Sequence, residues 1–219
     1  MHIPDGLMSP EIVALGWIVA IAGIALAVFK VNKKVDDKAV PLMAVLAAGI
    51  FVAQMLNFPI FGGTTGHLIG AALAAVLVGP YAAIIIMTVI LIIQCLAFGD
   101  GGLTALGLNL ANMAVIAPLV AYTSYKLLAR ASDKAGVVLA AWASVFVAAV
   151  AATAELIASF GLSGGAYGIE AAIALPAMLG YHAVIGVGEA IITASIYLYL
   201  SKVAPELIRS KAPAKEVLS

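Results

Sequence analysis

Residues 68–98 read LIGAALAAVLVGPYAAIIIMTVILIIQCLAF and carry no charged side chain. As one helix the stretch would be roughly 46 Å long, against a hydrocarbon core of about 30 Å. Gly79-Pro80 offers a division, because glycine suits the end of one helix and proline the first position of the next. Whether this run crosses a membrane once or twice decides the topology of everything after it.

Working outward, further apolar runs cover Ile12–Phe29, Val40–Leu56, Leu103–Leu128, Val137–Phe160 and Ala171–Leu200. With the run at 68–98 divided, seven helices are expected. The basic residues test that count. If the N-terminus lies outside, three segments besides the Gly79-Pro80 turn face the cytoplasm. They hold Lys30, Lys33, Lys34 and Lys38, then Lys126, Arg130 and Lys134, then Lys202, Arg209, Lys211 and Lys215. These are all 11 of the Lys and Arg residues, so none is left for the outer face, as the positive-inside rule asks. An undivided run would put the last two groups on the wrong side. The expectation is an all-α, polytopic membrane protein with seven transmembrane helices, its N-terminus outside and its C-terminus cytoplasmic. Residues 1–219 form a single transmembrane domain, with an outer N-terminal segment at 1–11 and a basic cytoplasmic tail at 201–219.

Composition agrees. The chain is 64% hydrophobic and 10% charged, whereas soluble domains are roughly half apolar and about a quarter charged. A net charge of zero gives no sign of a nucleic-acid partner. Cys95 is the single cysteine, so no intramolecular disulfide is possible. No basic residue precedes the first apolar run, so it reads as an uncleaved span in place of a secretory signal. The first residues are therefore expected in the mature protein.

The third span is short, about 18 Å from His67 to Val78. The preceding FPIFGGTTGH is expected to dip into the protein to meet it, since irregular backbone at membrane depth must be satisfied by protein or a cavity. Polar residues gather at the outer helix ends: Asp5, Gln54, Asn57, Thr64, Thr65, Gln94, Asp100, Asn109, Asn112 and His182, together with His2 and His67. Such residues usually face a bundle interior or a cavity. They read either as an outward-open pocket or as ordinary interhelical bonding, with His182 alone favouring a packing role. Glu155 and Glu189, within spans, are open between structure and function. Ala71, Ala75 and Gly79 repeat every four residues, which lets helices approach closely, either inside the chain or against another membrane protein.

The chain opens MHIPDG. The amine of Met1, the backbone nitrogen of His2 and one imidazole nitrogen of His2 can all reach one metal ion, closing a five- and a six-membered ring. The three lie roughly in a plane, and His67 is the best-placed fourth nitrogen. Square-planar nitrogen coordination favours Ni(II) or Cu(II); Co(II) also binds imidazole, lower in the affinity order. Pro4-Asp5-Gly6 supplies a turn, and Asp5 is placed to hold an imidazole by a hydrogen bond. The plain alternative for His2 is an exposed terminal histidine.

MHIPDG at the start, GGTTGHLIG at 62–70 and QCLAFGDGGLTALGLNLANM at 94–113 resemble the CbiM/NikM family. These are substrate-capture (S) components of energy-coupling factor (ECF) transporters for cobalt and nickel. The resemblance covers nearly the whole chain. It implies seven membrane helices with the terminus outside, in a prokaryotic cell membrane, and a metal site made by the amine of Met1, both nitrogens of His2 described above and His67. The metal is Ni2+ or Co2+, for nickel enzymes or cobalamin synthesis. Implied partners are a transmembrane coupling (T) component, two cytoplasmic ATPases and often a small accessory membrane subunit. The chain has no G-x-x-x-x-G-K-[ST] phosphate loop, in keeping with ATP hydrolysis in other chains.

Two other classes compete. An intramembrane metalloenzyme needs an activated water and a general base, and no H-E-x-x-H is present. A channel or autonomous carrier needs a continuous polar path, and the inner halves of these helices are apolar. The transporter subunit, not an enzyme, is the expectation.

Overall fold

The computed structural model describes residues 1–31, 39–60 and 64–208. Lys33, Lys34, Lys38, Arg209, Lys211, Lys215, Gly62 and Gly63 lie outside the described residues, so most of the basic tail does too. Helix α1 spans Pro10–Val31 and α2 Ala39–Gln54. A hairpin of β1 (Phe58–Ile60) and β2 (Thr64–Gly66) follows, then α3 (Ala71–Val78) and α4 (Pro80–Phe98). The last three helices are α5 (Leu106–Ala129), α6 (Asp133–Leu162) and α7 (Ala171–Val203). Among the described residues five helices, α1, α4, α5, α6 and α7, are long and apolar enough to cross a membrane. Helix α2 has 16 residues and α3 has 8.

The division at Gly79-Pro80 is present. Gly79 ends α3 with φ 87° and ψ 165°, a backbone region that glycine alone occupies readily. Pro80 opens α4, where its missing N–H costs nothing. Helix α3 is buried along almost its whole length, against α4, α5 and α6. Ala71 and Ala75 have no exposed surface and Gly79 is buried. Their four-residue spacing is therefore spent on packing inside the chain, and the alternative of a docking face for another protein is corrected.

The two strands depart from an all-α chain. Their register pairs Phe58 with Gly66, Pro59 with Thr65 and Ile60 with Thr64. The Pro-, Gly- and Thr-rich sequence here is poor in helix formers, and pairing gives its backbone groups partners where water is scarce. The expected dip is visible as burial of Thr64, His67 and Ile69.

Helix α6 is the hub, packed on α5 along one side and α7 along the other. Its inward face is Ala140, Ala141, Ser144, Ala148, Ala149 and Ala152, all without exposed surface. Small residues at this spacing let helices close on each other when lipid supplies no hydrophobic driving force. The outward faces are large and apolar: Ile18, Ile21 and Phe29 on α1, Val184, Val187 and Ile191 on α7. Helices α5 and α7 each contain a wider π-helical stretch, Leu110–Ile116 and Leu175–Leu179. Pro118 follows the first and Pro176 sits in the second, and a proline breaks the regular hydrogen-bond ladder. The first begins directly after Asn109.

Replacing Gly79 with alanine is expected to destabilise the protein by about 1–3 kcal/mol, the usual cost of forcing a side chain into such a backbone region. Gly49→Ala, at an exposed site on α2 where an added Cβ meets nothing within 4 Å, is expected to be neutral or slightly stabilising. Thermal unfolding of both variants in detergent reads the difference.

Candidate metal centre

The N-terminal segment runs back into the protein. Met1, His2 and Ile3 are only 2%, 3% and 0% exposed. Asn109 holds them in place from α5. Its Oδ1 accepts from the Ile3 N–H at 2.8 Å and its Nδ2 donates to the Ile3 carbonyl at 3.1 Å, so the amide side chain pairs with Ile3 as a neighbouring strand would. The same carbonyl accepts from the Gly102 N–H at 2.9 Å. Further on, Asp5 accepts from the backbone N–H groups of Leu103 (3.0 Å) and Thr104 (2.7 Å) and from the Thr104 hydroxyl. The Thr104 hydroxyl above all holds the Asp5 carboxyl below its ordinary value. Gly102 must be glycine for this approach, since a Cβ there would fall 2.2 Å from the Asp5 nitrogen. Ser9 N–H donates to Ser159 Oγ at 2.6 Å, and the Leu7 carbonyl accepts from Gly168 N–H at 2.7 Å.

Thr65, on the hairpin, receives the chain start. The Met1 amine donates to its carbonyl oxygen and, at 3.1 Å, to its Oγ1; the His2 N–H reaches the same Oγ1 at 3.2 Å. Pro59, paired with Thr65 in the hairpin, has no N–H to compete for that carbonyl. Two residues beyond Thr65, the His67 ring stacks on the His2 ring, centroids 4.7 Å apart and planes 28° from parallel. His67 Nδ1 bonds the Leu68 carbonyl at 2.7 Å. A carbonyl only accepts, so Nδ1 carries the proton and Nε2 presents its lone pair. That Nε2 is buried with no hydrogen-bond partner. The amine, the amide and the second imidazole of the expected ligand set are thus brought to one small region. Among the described residues no three His, Cys, Asp or Glu side chains form a metal-binding group; what gathers here is two imidazoles with backbone nitrogen.

Asp100 is the nearby carboxylate. Its Oδ2 lies 3.5 Å from His2 Nε2 and accepts from Asn57 Nδ2 at 2.9 Å. The sequence reading gave Asp5 the task of holding an imidazole; the structure corrects this, because Asp5 is fully engaged by the 103–104 backbone and Asp100 stands beside His2. With Asp100 next to Nε2, the Nδ1 of His2 is the nitrogen left for a chelate ring. Burial pushes the Asp100 carboxyl up, opposed by the charge of the Met1 amine and by Asn57. Burial lowers the Met1 amine from 8.0 to about 4, against the pull of Asp100. Burial and the charge of that amine lower His2 from 6.5 to about 3.

The other expected residues divide. Gln54, at the end of α2, donates through Nε2 to the Ile69 carbonyl at 2.6 Å. Thr64 donates to Met178 Sδ at 3.3 Å. His182 is fully buried, bonds the Met178 carbonyl through Nδ1 at 2.7 Å, and leaves Nε2 without a hydrogen-bond partner. Gln94 is fully buried with neither amide atom hydrogen-bonded. Asn112 belongs elsewhere: its Nδ2 donates to Glu155 Oε2 at 2.7 Å, a bond between α5 and α6. Sequence reasoning missed Thr104 and Gly102, although both stand in the motif at 94–113. It also left Glu189 undecided, and Glu189 accepts from the backbone N–H groups of Ile69 and Gly70.

A family model described as "Cobalt uptake substrate-specific transmembrane region", CbiM, matches residues 2–207. A protein of Archaeoglobus fulgidus named as a fused nickel transport protein, NikMN, is 40% identical over 222 residues, covering 100% of this chain and 72% of its own length. A crystal structure titled as a transition metal transporter superposes with a TM-score of 0.88 at 41% identity, covering 93% of each chain. A second, of a truncated transition metal transporter, gives 0.85 at 40% identity, over 91% of this chain and 98% of its own.

The lowered values of the Met1 amine and His2 have a definite sign. The released, solvated chain start binds protons that the docked one does not, so docking weakens as pH falls. Docking is at full strength above about pH 8, the amine's ordinary value. It is lost progressively as pH falls toward about 4 for the amine and about 3 for His2. Hydrogen exchange at the Ile3 amide, corrected for its intrinsic pH dependence, is expected to show protection that declines steadily from pH 8 to pH 5. Asn109→Ala, which removes both side-chain bonds to Ile3, is expected to lower that protection at every pH.

Proposed function

The chain belongs to the CbiM family of cobalt uptake substrate-specific transmembrane regions, and on that premise we propose that it captures a divalent transition-metal ion, Ni2+ or Co2+, with high affinity at the outer face of a prokaryotic cell membrane. It acts as the substrate-specific subunit of an ECF-type importer and has no enzymatic activity of its own. A transmembrane coupling component and two cytoplasmic ATPases drive uptake, with a small accessory membrane subunit as a further partner. All seven helices span the bilayer, α3 doing so with its inward-dipping loop. Residues 1–11 lie outside as a chelating segment of the single transmembrane domain, and 201–219 lie in the cytoplasm.

The ligands are the Met1 amine, the backbone nitrogen and Nδ1 of His2, and Nε2 of His67. One observation carries this reading: the N–H groups of Met1 and His2 converge on Thr65 while the His2 ring stacks on His67. Both nitrogens that would close the first chelate ring are therefore already side by side, and the holding partner is a single exchangeable threonine. Preorganisation of this kind reduces what binding must spend on ordering. Asp100 then sits against the far nitrogen of the His2 ring, the position from which a carboxylate orients a ligating imidazole. Metal binding releases the His2 amide proton and moves both nitrogens off Thr65.

Titration of the purified protein with nickel and with cobalt tests this. Adding one glycine before Met1 keeps every side chain but turns the Met1 nitrogen into an amide. That variant, or an acetylated terminus, is expected to lose affinity by about tenfold or more, as is His67→Ala. Met1→Leu, with a free amine, is expected to stay close to the native chain. Native affinity in the extended protein, or no nickel or cobalt binding by the native chain, overturns the reading.

A further inference from the structure

We propose that Glu189 is a positioning residue for the metal site, holding and polarising the His67 imidazole through the one peptide group that joins Leu68 to Ile69. The inference rests on the reading of His67 as a ligand and goes beyond it. The carbonyl of that peptide group accepts from His67 Nδ1 at 2.7 Å. Its N–H, on Ile69, donates to Glu189 Oε2 at 2.7 Å. A carboxylate, a peptide unit and an imidazole thus form one hydrogen-bonded row, with the unpartnered Nε2 of His67 at its end.

The row has the chemistry of the carboxylate–histidine pairs that orient metal-bound imidazoles, with a peptide group inserted between the two. Negative charge on Glu189 draws on the Ile69 N–H and makes the Leu68 oxygen a better acceptor, since bonds in a chain strengthen one another. A better acceptor at Nδ1–H makes Nε2 a better donor to a cation. The same bond fixes the plane of the peptide group, and with it the tautomer and ring direction of His67.

The surroundings allow no easy substitute. Glu189 is 1% exposed on α7, and its other oxygen accepts from the Gly70 N–H at 2.6 Å. Gln54 Nε2 holds the Ile69 carbonyl from the α2 side. The His67 loop is thereby pinned from two helices, and only the Glu189 bond lies on the peptide unit that His67 itself contacts.

The test is nickel binding by the purified full chain, read as affinity and as the visible absorption of the bound ion. Glu189→Gln keeps the shape but removes the charge and faces an amide NH2 toward a backbone N–H. It is expected to lower nickel affinity by about tenfold, the lower end for such supporting partners, and to shift the nickel absorption. Glu189→Asp, which keeps the charge, guards against a folding failure and is expected to fall between Gln and the native residue. His67→Ala combined with Glu189→Gln is expected to bind no more weakly than His67→Ala alone, because the effect passes through that ring. A purely structural role would make the two losses multiply, and that result overturns the proposal. Native affinity and absorption in both Glu189 variants, alongside weakened binding in His67→Ala, overturns it while leaving the site reading intact. Unchanged binding in His67→Ala overturns both.

Discussion

Every backbone N–H and C=O that leaves regular structure inside a membrane protein has to find a partner in the protein. Two irregular stretches of this chain are buried in part: Met1, His2, Ile3, Met8 and Ser9 at the chain start, and Thr64, Gly66, His67 and Ile69 on the approach to α3. The structure meets the requirement with side chains from the helices around them. Asn109 serves Ile3 from α5, Ser159 serves Ser9 from α6, and Glu189 serves Ile69 and Gly70 from α7. Gln54 serves the Ile69 carbonyl from the end of α2. Each buried group left unpaired would cost about 1–3 kcal/mol. Remove these partners and neither stretch has reason to lie where it does.

This requirement explains why carboxyl and amide side chains stand in otherwise apolar helices. Glu189 looks expensive when the span is read alone; beside two backbone donors it is the group that fixes a loop. Satisfaction of the framework also gives meaning to what is left over. Nε2 of His67 is buried without a hydrogen-bond partner, next to a chain start whose other polar groups are paired with care. With Nδ1 bonded to a carbonyl, that Nε2 keeps its lone pair, the state in which a neutral imidazole can take a cation.

Much of this is legible in the sequence. The Gly79-Pro80 break follows from length against bilayer thickness and from the geometry of those two residues, and it lies where expected. The inward dip of the loop before α3 followed from the shortness of that helix. The expectation that the chain start meets His67 rested on an inferred common face and on the family resemblance, and in the structure the His2 and His67 rings stack. What sequence could not supply was pairing across distance. Asp5 and Asp100 are both acids close to the 99–105 loop, and only the path of that loop decides which one meets His2. The Ala71, Ala75, Gly79 spacing permits close approach equally well inside and outside a chain, so periodicity had no means to choose. The hairpin escaped notice because its strands are three residues each, too short for an alternating pattern to register.

Charge offers a last connection between the burial of the chain start and the cation proposed for it. In a poorly solvating interior an isolated charge is costly, whereas an ensemble whose charges cancel is tolerated. Burial keeps the Met1 amine and the His2 imidazole neutral near pH 7, so neither repels an arriving metal. With the ligand set proposed above, loss of the His2 amide proton would add negative charge to a site that already has the Asp100 carboxylate beside His2 and the Glu189 carboxylate behind His67. The same desolvation that makes a protonated chain start unwelcome would therefore favour a multiply charged cation over a monovalent one, before any preference for a coordination geometry is considered.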